Sequence, residues 1–134
     1  MTICPLCGLE AAGESVQEPD AKKFTCKRRG EYGVSREMVD SARLQRDPYL
    51  SAAARQAYEA GNPILIRGDN WSDLSEAHRR TSVSERVDKA LRYLASKGRP
   101  GKEIWINMGL DYPVADAENQ HEFHSYLVSC PINS

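Results

Sequence analysis

The residues most able to do chemistry sit near the N-terminus. Cys4-Pro5-Leu6-Cys7-Gly8 is answered further on by Cys26-Lys27-Arg28-Arg29-Gly30. Two Cys-x-x-Cys-Gly knuckles on hairpin tips would present four thiolates to one tetrahedral zinc ion, the glycine after each pair permitting the turn. The first knuckle is complete. In the second, the last thiol is replaced by Arg29, whose guanidinium has no lone pair to donate to a metal. Zinc is therefore the expected cofactor of a site that lacks a ligand, on Cys4, Cys7 and Cys26. Three states are open: three thiolates plus water, recruitment of Cys130 or a histidine, or a site that is empty or weakly filled. Cys130 reads either as a small core residue or as that distant fourth ligand.

A second group is cationic. Lys22, Lys23, Lys27, Arg28 and Arg29 frame the second knuckle, and Lys23, Lys27, Arg28 and Arg29 are the candidate contacts to a phosphate-bearing or protein partner. The competing reading is a solvated rim, because the net charge is only −1. Glu118, His121 and His124, at i, i+3 and i+6, would share a helix face and are the one alternative metal set, although a solvated face explains them as well. His78 reads as a boundary residue. No nucleophile elbow, phosphate-binding glycine loop or His-Glu-x-x-His helix is present.

The elements that must position these groups follow from their punctuation. Val34 and Val39 around Ser35 predict a staple and N-cap for a helix over 35–45. Asp47-Pro48 predicts the start of the next helix, with Leu50, Ala53, Ala54, Ala57 and Tyr58 as its apolar stripe and Gly61 as its stop. Ile64-Leu65-Ile66 reads as a short buried strand, and Asp69 or Asn70 as the cap of a brief helix bearing Trp71, Leu74 and His78. Ser82-Val83-Ser84-Glu85 opens a helix over 82–97 whose Val83, Val87, Ala90, Leu91 and Leu94 predict the anchor of the core. Its Glu85, Arg86, Asp88, Lys89 and Arg92 read as solvent face. Glu103 to Asn107 alternates as a strand, Asp111-Tyr112-Pro113 makes a turn, and Asp116 caps a last helix over 116–129.

The expected fold class is α+β, mainly helical: zinc-ribbon-like β-hairpins over 1–35, then a small helical domain over 36–134 with one or two short strands. A ribbon of that size needs a metal or a docking surface to stay folded. No apolar run is long enough for a membrane span and no leader precedes the first knuckle, so a cytoplasmic chain is expected, with its cysteines as ligands or thiols.

The series Cys4-Pro5-x-Cys7-Gly8, Cys26-x-x-x-Gly30-x-Tyr32-x-x-Ser35, Leu50-Ser51, Val83-Ser84-Glu85 and Asp111-Tyr112-Pro113 resembles the N-terminal region of a loose group of poorly characterised prokaryotic proteins. In these a zinc-ribbon and helical module precedes an effector domain, sometimes TIR-like, and a role in antiviral defence is suspected. Members carry Cys where this chain has Arg29. The resemblance implies a sensing, docking or regulatory module. The expected function is thus a non-catalytic interaction or sensing module for a protein or nucleic-acid partner. The alternative is a small metal-dependent enzyme or a fragment of an effector enzyme.

Overall fold

The computed structural model describes residues 2–6, 10–16, 21–39, 41, 44, 47–97 and 107–128. Cys7, Gly8, Cys130 and most of the strand expected over 103–107 lie outside them. The fold is α+β. Strands β1 (Thr2–Ile3), β2 (Glu10–Val16), β3 (Ala21–Cys26) and β4 (Gly30–Ser35) form an antiparallel meander, and β5 (Leu65–Ile66) adds to the far edge of β4 in parallel, giving the order β1-β2-β3-β4-β5. N-terminal hairpins are therefore present, as is the short strand expected at 64–66.

Turn chemistry sets the β3–β4 hairpin. Cys26 pairs with Gly30 across a three-residue loop of Lys27, Arg28 and Arg29. Gly30 has φ +72°, the left-handed conformation that closes such loops and that a side chain resists. A Cβ there would also fall 2.3 Å from Cδ2 of Tyr58, so glycine is required twice over. On the buried face Phe24 and Tyr32 are register partners with stacked rings, their centroids 5.5 Å apart.

Five α-helices follow among the described residues: α1 (Pro48–Glu59), α2 (Trp71–Arg79), α3 (Val83–Lys97), the single turn α4 (Met108–Asp111) and α5 (Gln120–Val128), with a 3-10 turn at Tyr112–Ala115. Helix α1 starts as expected. Asp47 accepts hydrogen bonds from the amides of Tyr49 and Leu50, and Gly61 at φ +82° lies just beyond its end. Seven consecutive residues, Tyr49 to Arg55, are buried, because α1 packs against β4, α2 and the 3-10 turn.

One core joins Leu6, Phe24, Tyr32 and Val34 of the sheet region to Leu44, Leu50, Ala54 and Ile66, so it draws on residues from both sides of position 35. A second, smaller core gathers Ala90, Val114, Ala115, Ala117, Phe123 and Tyr126. No helix among the described residues is long and apolar enough to cross a membrane.

Two expectations are corrected. Residues 36–39 form turns rather than the start of a helix, since Ser35 remains paired with Ala21 as the last residue of β4 and its hydroxyl turns to Glu37 instead of a helix amide. Sheet pairing outcompetes the cap. Helix α3 begins with Ser82 Oγ accepting from the Glu85 amide, as its capping box implies, yet only Ala90 is fully buried on it and Val83 is 66% exposed. The core is anchored by α1 and the sheet, and α3 lies against the second core.

Candidate functional site

The β3–β4 loop turns two of its three residues inward. Lys27 is exposed, whereas Arg28 is half-buried and Arg29 is 2% exposed, at the loop position where a ribbon would carry its fourth thiolate. Arg28 donates from Nε to the Gly109 carbonyl at 2.8 Å, and both guanidiniums lie against the Tyr112 ring, at 5.3 and 5.7 Å from its centroid. Together with the N-terminus of α1, the end of α2 and residues 118–119, they line a cleft of about 520 Å³.

Across this cleft stands Tyr49, whose hydroxyl donates to Glu118 Oε1. Burial and then the neighbouring Glu118 carboxylate raise the Tyr49 hydroxyl above its ordinary pKa, which keeps it a donor. The Arg79 guanidinium stacks on the Tyr49 ring at 4.7 Å. Three guanidiniums, Arg28, Arg29 and Arg79, thus share one concave surface with two carboxylates, Asp47 and Glu118. Both carboxylates are already engaged. Asp47 caps α1 with Oδ1 and accepts from Ser75 Oγ with Oδ2 at 2.9 Å, while Glu118 holds Tyr49.

Arg29 is the exceptional group. Its Nε and Nη1 are buried and find no hydrogen-bond partner among the described residues. Buried guanidiniums are ordinarily saturated, and this protein supplies the comparison. Arg55 on α1, 6% exposed, donates to Glu59, to the carbonyls of Arg28 and Leu110, to Tyr93 and to Asp111, all within 3.1 Å. Burial works against its charge, yet the bonds to Asp111 and Glu59 prevail and raise its pKa. Arg55 is a tie that fixes the β3–β4 loop to the helices, whereas Arg29, one residue beyond the carbonyl that Arg55 holds, is left with unused donors.

The other sequence candidates separate. Lys23 pairs with Glu31 at 3.2 Å along the sheet, and of the four basic candidates only Arg28 and Arg29 line the cleft. Cys4 and Cys26 are both buried at the same end of the sheet, and Cys4 Sγ lies 2.8 Å from the Tyr32 hydroxyl. No group of three metal-capable side chains occurs among the described residues, from which Cys7 and Cys130 are missing. Glu118, His121 and His124 do not share a helix face: α5 begins at Gln120, capped by Asn119, and Glu118 lies before it, bound to Tyr49. His121 and His124 are exposed.

Asp116 does not cap α5. It has φ +55°, which Asp tolerates better than most residues, and its fully buried carboxylate accepts from Gln56 Nε2 at 2.7 Å and from Lys89 Nζ, with His78 Nδ1 at 2.6 Å. Burial opposes its charge, but the bonds from His78 and Lys89 and their proximity outweigh it and hold the carboxyl at about 2. Lys89 and Arg86, which the helical wheel assigned to solvent, are instead ties. Arg86 reaches Glu122, Tyr126 and the Arg79 carbonyl.

Comparison with known proteins finds no matching family model, no matching curated protein and no matching solved structure.

Proposed function

We propose that this chain is a cytosolic, non-catalytic interaction or sensing module that holds an anionic group of a protein or nucleic-acid partner in the arginine cleft. The observation that carries this reading is the buried Arg29 guanidinium with two unused nitrogens, in a cleft whose carboxylates are engaged elsewhere. A buried donor without an acceptor costs about 1–3 kcal/mol, more when charged. An arrangement that carries this cost is explained if a partner supplies the acceptor on binding. The regulatory setting implied by the resemblance to ribbon-containing defence proteins is compatible with such a role, with zinc on Cys4, Cys7 and Cys26 as the proposed stabiliser of the ribbon.

The test is a titration of the full chain with poly-aspartate and with a single-stranded oligonucleotide over a range of salt, comparing wild type with an Arg28→Gln/Arg79→Gln double variant. Binding by wild type that weakens with salt and is lost in the variant is expected. Failure of both probes to bind at low ionic strength would remove the reading.

A further inference from the structure

The cleft also carries information about the chemistry of its occupant, an inference that rests on the binding-module reading above. A planar carboxylate offers two oxygens in one plane. Here Arg29 has buried donors on two different nitrogens that find no partner among the described residues. Among the described residues Arg28 commits only its Nε to a hydrogen bond, and Arg79 uses its Nε on Glu76 at 3.2 Å. Converging guanidiniums with spare donors on several edges suit a tetrahedral group with three terminal oxygens and more than one negative charge.

Size and shape add a second argument. The cleft volume of about 520 Å³ far exceeds what a phosphoryl group needs and leaves room for an organic body attached to it. The surfaces awaiting that body are flat and cationic, Arg28 on Tyr112 and Arg79 on Tyr49. Guanidinium and tyrosine planes are what nucleobases stack on. A peptide that docks by strand addition needs a free strand edge, and the walls here are the β3–β4 loop, helix ends and the 3-10 turn.

We propose that the cleft bounded by Arg28, Arg29 and Arg79 binds the phosphomonoester of a nucleotide, with Arg29 as the buried phosphate anchor and the Arg28 and Arg79 planes flanking the nucleoside. Isothermal titration of the full chain with adenosine 5′-monophosphate, inorganic phosphate, adenosine, a phosphoserine peptide and an acidic peptide tests it. The nucleotide is expected to bind at least roughly tenfold more tightly than inorganic phosphate, and adenosine not at all. Arg29→Gln should abolish binding. Arg28→Gln, at a half-buried position, should weaken it about tenfold and serves if the Arg29 variant fails to fold.

Equal affinity for nucleotide and inorganic phosphate would overturn the nucleoside part of the proposal. Tighter binding of the phosphoserine peptide would overturn the nucleotide assignment. Binding of the acidic peptide alone, sensitive to Arg28→Gln, would overturn phosphate recognition and leave the binding-module reading standing, and silence from every probe would overturn both.

Discussion

Replacing Arg29 by methionine should make this protein more stable and less able to bind. The guanidinium is 2% exposed and leaves Nε and Nη1 without acceptors among the described residues. At about 1–3 kcal/mol for each unsatisfied donor, the folded chain carries a penalty of roughly 2–6 kcal/mol. Methionine is shorter but flexible, fills irregular space and needs no acceptor. Against the gain stand the lost contact with the Tyr112 ring, about 0.5–2 kcal/mol, and any bond made by the third nitrogen, about 1 kcal/mol. The balance centres on a net stabilisation of about 2 kcal/mol, a rise in Tm of roughly 6–10 °C for a chain of this size. Urea denaturation of both proteins without added anions measures it. With a saturating ligand the order should reverse, since a ligand at a hundred times its Kd stabilises only the form that binds it, by about 2.7 kcal/mol. If Arg29→Met lowers stability by more than about 1 kcal/mol in the absence of ligand, the guanidinium is satisfied in solution and the reasoning fails.

Other expectations follow from the same structure. Leu50→Ala, in the core shared by α1 and the sheet, should cost about 2–5 kcal/mol, whereas Leu91→Ala on the half-buried face of α3 should cost under about 2 kcal/mol; equal losses in denaturant would show that α3 anchors the core after all. The Asp116 carboxyl is held at about 2, below its usual range, so the stability it adds is complete above that range and disappears as pH falls through about 2. Asp116→Asn should flatten the acid limb of the stability curve in that window and cost about 3–5 kcal/mol at neutral pH, because Lys89 loses its buried partner. Arg29→Cys would complete the second knuckle and should raise zinc content, measured by elemental analysis, to about one per chain with a gain in chelator resistance. If wild type already holds one zinc with the same resistance, a fourth ligand comes from elsewhere.

What was legible in the sequence was local. Asp47-Pro48 and Gly61 bounded α1, Ser82 opened α3, and Pro63 and Gly68 bracketed β5, because caps, prolines and glycines act within a turn of themselves. The β3–β4 loop was also visible, and with it the anomaly of Arg29. Errors arose where a distant partner decided the outcome. Ser35 has the side chain of a cap, but Ala21 on the neighbouring strand holds its backbone in the sheet. Arg86 and Lys89 sit where a helical wheel places solvent, yet Glu122 and Asp116 lie 36 and 27 residues further along. The cleft draws Tyr49, Arg79, Tyr112 and Glu118 from separate elements, and no spacing rule relates them. Arg29, at the hairpin-tip position where the ribbon pattern expects a cysteine, was the one signal that pointed there.

Asp116 has a consequence for how the chain comes together. Its carboxylate touches Gln56, His78 and Lys89, one residue from each of α1, α2 and α3, and it can leave water only when all three helices have arrived. A partly assembled intermediate with one of them undocked would hold a desolvated charge short of a partner, so such species should be sparsely populated. The sheet core and the smaller helical core should thereby unfold as one cooperative unit. Amide exchange in α1, α2 and α3 should then report one common opening free energy rather than a graded series, and a helix peeled from this junction would take the others with it.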